Sequence, residues 1–105
     1  MPPNAASDVL CRPRTRSFGF LEYEDDSWAC YLVTYRTSQR RWCGYLTFRP
    51  NREGRVAEVR TADLFIESEE SEIERRARGL GRPLLTGLLA SALEVESRPS
   101  GARLR

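Results

Sequence analysis

The sequence predicts an α+β domain, in which a four-stranded antiparallel β-meander is followed by two C-terminal helices packed on one sheet face. Two observations lead to this fold class. Residues 28–49 contain two runs rich in aromatic and β-branched side chains on either side of a polar loop, a pattern typical of a β-hairpin. After residue 67 the apolar residues change to helical spacing, and Gly79, Gly81 and Pro83 divide the helical region in two.

The length and composition indicate one small globular domain. The chain has 105 residues, of which 40% are hydrophobic and 30% charged, so most of it is expected to fold. We expect residues 1–17 to form a disordered basic arm, residues 18–96 the α+β domain, and residues 97–105 a disordered basic tail. A folded part of this size buries only about 60–65% of its unfolded surface. Association with a partner would therefore add to its stability.

The strands follow one another with short turns between them. The first predicted strand covers residues 18–23, and an acidic turn at residues 24–27 leads into the central hairpin. Residues 49–54 carry proline, asparagine and glycine, which are typical turn residues. The fourth predicted strand covers residues 56–67 and completes the antiparallel meander.

The register of the central hairpin decides which side chains face the core. A loop at residues 37–40 would place Tyr35 opposite Trp42 and Trp28 opposite Arg49, and side chains then alternate between two faces. The face predicted to form the core carries Ala29, Tyr31, Val33 and Tyr35 opposite Phe48, Leu46, Gly44 and Trp42. The other face carries Trp28, Cys30, Leu32, Thr34 and Arg36 opposite Arg49, Thr47, Tyr45, Cys43 and Arg41. This second face is half apolar, so we expect a flanking segment, a second copy or a ligand on it.

The helical region begins with an acidic segment that suits the positive end of a helix dipole. Ser68 or Ser71 is the predicted N-cap, since Ser71 has capping-box spacing to a glutamate. The residues of this helix predicted to face the core are Ile73, Ala77 and Leu80. Pro83 is predicted as the first residue of the second helix. The apolar stripe of that helix is wide enough for both the sheet and a partner, and consists of Leu84, Leu85, Leu88, Leu89, Ala92 and Leu93.

Residue types on which common catalytic mechanisms depend are missing from the sequence. It contains neither lysine nor histidine, which removes the usual general base and the commonest metal ligand. Cys11, Cys30 and Cys43 have no histidine partner, and their spacing matches no zinc site. We therefore expect no enzyme activity, no metal and no cofactor. Reduced cysteines and the lack of a signal peptide or membrane-spanning run predict a soluble, cytoplasmic protein.

Most acidic residues fall in predicted turns or at a helix start, where solubility and helix capping explain them. Asp63 differs, because it interrupts the apolar fourth strand. A carboxylate on a buried strand face needs a partner. We therefore expect a structural salt bridge from Asp63 to Arg49 or Arg60 in preference to a catalytic role.

Charge is distributed unevenly along the chain. Residues 36–60 hold seven arginines and two glutamates, residues 18–35 hold four acids and no base, and residues 61–96 hold eight acids and four arginines. These opposite charges and the leucine stripe predict a non-catalytic binding or regulatory module that acts through protein–protein interaction, as a homodimer or a subunit of a larger assembly. The residues predicted at the interface are Leu85, Leu88, Leu89, Ala92, Leu32 and Tyr45.

The alternative is a single-stranded nucleic-acid-binding protein that uses the arginine-rich hairpin and the sheet aromatics. Arginines bind phosphates, and each base stacked on an aromatic ring contributes about 1–3 kcal/mol. The residues predicted to bind nucleic acid or another anion are Arg36, Arg40, Arg41, Arg49, Arg52 and Trp28. No membrane partner is expected.

Overall fold

Antiparallel strands and two helices make up the computed structural model, which describes residues 12–51 and 58–97. The elements in chain order are β1 (Arg14–Tyr23), β2 (Asp26–Arg36), β3 (Trp42–Pro50), β4 (Val59–Arg60), β5 (Phe65–Glu67), α1 (Glu70–Arg78) and α2 (Arg82–Ser97). The strand order in the sheet is β1-β2-β3-β4, and β5 also pairs with β3. The predicted α+β class and antiparallel sheet are confirmed.

Both helices pack on one face of the sheet, and the core lies between the two layers. The buried side chains come from alternate positions of β2 and β3 and from one side of each helix. They include Trp28, Cys30, Leu32, Leu46, Phe48, Ile73, Ala77, Leu85 and Leu89, each no more than 9% exposed. The opposite face of the sheet carries neither helix.

The first hairpin is longer than predicted and contains a bulge. β1 begins at Arg14 instead of residue 18, so residues 14–17 belong to the sheet and not to an arm. Ser17 pairs with Tyr31 and Gly19 with Cys30, which leaves Phe18 as the extra residue of a β-bulge. The turn to β2 is also tighter than the predicted four residues, because Tyr23 pairs directly with Asp26. The two residues between them, at 24 and 25, both have positive φ, as in a type I′ turn.

An ionic cluster explains why the sheet extends back to Arg14. Arg14 donates to Glu70 of α1 at 2.7 Å, and Arg16 donates to the same carboxylate at 2.5 Å. The buried Thr34 hydroxyl also donates to Glu70, at 2.7 Å, and Arg16 lies 3.0 Å from Glu74. Burial raises the pKa of Glu70, but the hydrogen bonds from Thr34 and Arg16 and the charges of Arg16 and Arg14 outweigh burial and hold this pKa below its usual value.

The register of the β2–β3 hairpin differs by one residue from the predicted register. Tyr35 pairs with Cys43 and not with Trp42, and Trp28 pairs with Pro50. The loop is closed by Thr37, whose N–H donates to the carbonyl of Arg41 at 2.8 Å, leaving three residues between them. The third of these residues, at 40, has φ 64°, the left-handed position of a three-residue hairpin loop.

This one-residue difference reverses the faces of β2. The predicted core positions on β3 are correct, since Leu46 and Phe48 are fully buried. On β2 the prediction is wrong, because Trp28, Cys30 and Leu32 face the helices. The tyrosines predicted for the core, at 31 and 35, lie on the opposite face.

The predicted fourth strand is divided into two short strands. β4 and β5 both pair with β3, and residues 61–64 bulge between them. Thr61 stabilises the bulge, since its N–H donates to the Leu46 carbonyl at 2.9 Å and its hydroxyl accepts from the Leu46 N–H at 3.1 Å. Residues 56 and 57 of the predicted strand lie outside the described residues.

The two helices agree with the apolar spacing but not with the predicted cap. The N-cap of α1 is Glu69, which makes no side-chain capping hydrogen bond, so the prediction of Ser68 or Ser71 is wrong. Ile73 and Ala77 are fully buried, as predicted. α2 begins at Arg82, one residue before Pro83.

Candidate binding surface

The face of the sheet opposite the helices is the candidate binding surface, and we call it the open face. It carries the side chains that alternate with the core positions of each strand. Pairing across the ladders places on it Phe20, Tyr31, Tyr35, Cys43, Tyr45, Thr47, Arg49, Arg60 and Ile66. Two of its apolar side chains are largely in solvent, with Phe20 60% and Ile66 55% exposed.

Arginine and tyrosine side chains are stacked on the open face. The guanidinium of Arg60 lies 3.6 Å from the centre of the Tyr45 ring, and that of Arg49 lies 5.4 Å from the centre of the Tyr31 ring. Both distances are within the range of cation–π attraction. The ring of Tyr35 packs against that of Tyr45 with their centres 6.2 Å apart. These contacts place the guanidinium groups over the tyrosine rings.

Within residues 12–51 and 58–97, each of the two stacked arginines has one carboxylate partner, at a long distance. Arg49 lies 3.5 Å from Glu58, and Arg60 lies 4.0 Å from Asp63. Arg60 also donates from Nε to the Thr61 carbonyl at 3.1 Å. The predicted pairing of Asp63 is therefore with Arg60, while Arg49 pairs elsewhere. Because both ion pairs are long, Glu58 and Asp63 hold the guanidinium groups only weakly.

A groove of about 420 Å³ lies between these side chains. Val33 and Thr47 line it and are almost completely covered, although they belong to the face without helices. Its walls include Tyr45, Arg49 and Arg60, and the start of β1 contributes Thr15. Apolar, aromatic and cationic groups thus meet in one depression of the open face, together with the carboxylate of Glu58.

Tyr35 is held by a hydrogen bond rather than poised for chemistry. Its hydroxyl donates to Asp63 at 2.6 Å. This bond, followed by burial and the nearby Cys43, raises the pKa of Tyr35 well above its usual value. The hydroxyl therefore stays protonated at neutral pH and does not supply a base.

Most residues predicted at the interface are part of the intramolecular core. Leu32, Leu85, Leu89 and Ala92 are between 0% and 9% exposed and pack between sheet and helices, so they are core residues and not interface residues. Leu88 is partly buried against the same core. Tyr45 alone among the predicted interface residues lies on the open face.

The residues predicted to bind anions are not gathered in one place. Trp28 is 4% exposed, so it cannot stack on a base. Arg40 and Arg41 are exposed at the tip of the hairpin, and Arg36 is half-buried with its Nε lacking a hydrogen-bond partner among the described residues. Arg49 lies on the open face, away from the tip. Arg52 lies outside the described residues.

Sequence reasoning missed five residues of the open face, namely Phe20, Tyr31, Tyr35, Arg60 and Ile66. The alternation along each strand was visible, but which alternate set faced outward depended on the register. Once Cys30 and Leu32 are placed in the core, the same alternation gives Tyr31 its outward position.

Comparisons with known proteins give no match to any protein-family model, curated protein or solved structure. Among residues 12–51 and 58–97, no helix is long and apolar enough to cross a membrane. The same residues contain no group of three or more potential metal ligands, and Cys30 and Cys43 are free thiols.

Proposed function

We propose that this chain is a small non-catalytic module that binds a protein partner through its open face, as a homodimer or as a subunit of a larger assembly. The observation that supports this proposal is the exposure of Phe20 and Ile66 on a sheet face that carries stacked arginines and tyrosines. The free thiols Cys30 and Cys43 are compatible with a reducing compartment, and we propose the cytoplasm.

The composition of the open face resembles that of protein interfaces. Tyrosine and arginine are enriched among the residues that contribute most to binding, and lysine is depleted. Tyr31 and Tyr45 are already ordered by their arginine neighbours, so little side-chain freedom is lost when a partner packs on them. Exposed apolar side chains beside such rings mark a surface that gains free energy from being covered.

The proposal is tested by replacing exposed apolar side chains with serine, on the open face in one variant and on α2 in the other. The test variant is Phe20→Ser with Ile66→Ser, and the matched control is Leu84→Ser with Val95→Ser on α2, where the side chains are 53% and 61% exposed. Self-association is measured by light scattering, and partner capture by affinity purification from cells. We expect the test variant to lose the association that wild type and control retain. Equal association by all three proteins, or a wild-type monomer without a captured partner, would contradict the proposal.

Single-stranded nucleic-acid binding is the second candidate, because Tyr31 and Tyr45 lie beside arginines on a sheet. The guanidinium of Arg60 already covers the Tyr45 ring at 3.6 Å, which leaves this ring less available to a base and favours the protein partner. Fluorescence anisotropy of a labelled single strand at two salt concentrations tests this candidate. Salt-sensitive binding that weakens on joint replacement of Arg49 and Arg60 by glutamine would support it. Binding that is absent, or unchanged by that replacement, would exclude it.

A further inference from the structure

We infer that the partner of the open face is a second copy of this chain, packed antiparallel to the first by a two-fold axis that crosses the strands. This inference rests on the proposed binding function of the open face and specifies its occupant. Two features carry it: the opposite charges at the two ends of the sheet and the symmetry of a closed dimer.

The two ends of the sheet carry opposite charges. Glu22 and Glu24 are exposed at the turn between β1 and β2, while Arg40 and Arg41 are exposed at the tip between β2 and β3. β2 separates these ends by ten residue steps of about 3.3 Å, which is about 33 Å. Among residues 12–51 and 58–97, none of these four side chains forms an ion pair.

Two of these charges point toward the open face. Glu22 is two residues beyond Phe20 on β1 and pairs with Ser27, so it shares the face of Phe20. Arg41 precedes Trp42, whose neighbours across the ladder belong to the core side, so alternation turns Arg41 to the open side. Arg49 and Arg60 also lie toward the turn end of the open face, but the exposed carboxylates there outnumber them, so this end is net acidic and the tip is net basic. These carboxylates are Glu22, Glu24, Asp25 and Glu58.

Symmetry selects the orientation of the second copy. In a two-fold dimer the same surface is used twice, so each contact occurs at both ends. An axis that runs along the strands would bring arginine tip to arginine tip, and the like charges would repel each other. An axis that crosses the strands reverses their direction and places each basic tip beside the acidic turn of the other copy. Both ends then attract.

The same axis covers the exposed apolar side chains. Phe20 lies on β1 near the acidic turn, and Ile66 lies on β5, beside Cys43 and near the basic tip. These two side chains are at opposite edges and opposite ends of the open face. Because this axis keeps each strand position across the sheet, Phe20 of one copy faces the start of β1 of the other, and Ile66 faces the β4 edge. The facing sheet covers both side chains, without a contact between Phe20 and Ile66. Two sheets stacked in this way, about 10 Å apart, would form an aligned β-sandwich with the helices outside.

The test uses two charge-reversal variants of the full chain, measured by sedimentation equilibrium. The tip variant is Arg40→Glu with Arg41→Glu, and the turn variant is Glu22→Arg with Glu24→Arg. The control is Arg78→Glu with Arg82→Glu, which changes the net charge as much as the tip variant but lies at the junction of α1 and α2. Circular dichroism establishes that each variant is folded.

We expect each reversal to raise the dimer dissociation constant by more than about tenfold, and the control to leave it nearly unchanged. The decisive measurement is the chain that carries all four reversals. Each acidic tip then meets a basic turn at both ends, so this chain dimerises although each double reversal alone is monomeric. A fourfold variant that remains monomeric would overturn the antiparallel arrangement.

The remaining outcomes separate this inference from the proposed function. A wild-type protein that stays monomeric at high micromolar concentration excludes the second copy, but the proposed function survives if Phe20→Ser with Ile66→Ser abolishes capture of another protein. A dimer that persists unchanged in that face variant places the dimer contact elsewhere and contradicts both proposals.

Discussion

Replacement of Glu70 by glutamine tests whether the ionic cluster between β1 and α1 stabilises the fold. Glu70 accepts from Arg16, which is 23% exposed, from Arg14, which is 60% exposed, and from the fully buried Thr34 hydroxyl. A hydrogen bond to a charged group contributes about 1.5–3 kcal/mol when shielded from water, whereas an exposed pair such as Arg14–Glu70 contributes about 0–1 kcal/mol.

Glutamine keeps one acceptor oxygen, which can still bind the Thr34 hydroxyl, so the main loss is the charged bond from Arg16. We therefore expect Glu70→Gln to lower the free energy of unfolding by about 2 kcal/mol. In a domain of this size such a loss lowers Tm by about 8–16 °C. Urea and thermal unfolding at pH 7 measure both quantities. The matched control is Glu72→Gln, because Glu72 forms exposed ion pairs with Arg75 and Arg76, and we expect it to change Tm little.

The pH dependence gives a second, independent measurement. The pKa of Glu70 is lower in the folded state than in the unfolded state, so the unfolded state binds a proton first as the pH falls. The stabilisation that ionised Glu70 provides is complete above its pKa in the unfolded state, about 4.3. It is lost as the pH falls through the lower pKa of the folded state. The difference in free energy of unfolding between wild type and Glu70→Gln should therefore be largest at neutral pH and shrink below about pH 4. A difference under about 0.5 kcal/mol at pH 7, or one that does not change with pH, would refute this reasoning.

Further predictions concern glycines and a buried thiol. A Cβ at Gly44 would lie 2.8 Å from Cγ2 of the fully buried Ile73, so Gly44→Ala should lower the free energy of unfolding by about 1–2 kcal/mol, measured by urea denaturation. Gly87 is exposed within α2 with no atom near its Cβ position, so Gly87→Ala should raise the free energy of unfolding by about 0.5–1 kcal/mol. A change of the same sign in Gly44→Ala and Gly87→Ala would contradict the packing argument. Gly19 has φ 112° in the β1 bulge, so Gly19→Ala should cost about 1–3 kcal/mol, and an unchanged urea midpoint would show that the strand relaxes. Burial raises the pKa of Cys30 to about 11, so iodoacetamide at pH 8 should label Cys30, detected by peptide mass spectrometry, only after unfolding; rapid labelling of the folded protein would contradict this burial.

The fold class could be predicted because its signals are local. Alternation in β2 and β3, turn residues and the helical spacing of Ile73 and Ala77 each depend on a few neighbouring positions. The length of β1 could not be predicted in this way. Arg14 and Arg16 belong to the sheet because Glu70 binds them from 54 and 56 positions away in sequence, and no local pattern reports that contact.

The hairpin register could not be predicted because its determining residue carries no signal in the sequence. A three-residue loop needs a left-handed residue at its third position, which is usually glycine. Here that position is Arg40, with φ 64°, so a four-residue loop was equally compatible with the polar sequence. The bulge at Phe18 has the same effect on β1, although Gly19 beside it is a recognisable marker.

The register also explains why this sequence has an open face of tyrosines. A shift by one residue would expose Trp28 and Leu32 and bury Tyr31 and Tyr35. Burying a tyrosine between sheet and helices leaves its hydroxyl to find a polar partner there, whereas on the open face the Tyr35 hydroxyl reaches Asp63 at 2.6 Å. The observed register therefore buries Cys30 and Leu32 and leaves Tyr31 and Tyr35 outside, although it also buries Trp28, whose Nε1 has no hydrogen-bond partner among the described residues. Rings that are apolar on their faces and polar at one end are also those that proteins use at interfaces. The preference that sets the register thus produces the surface to which we assign binding.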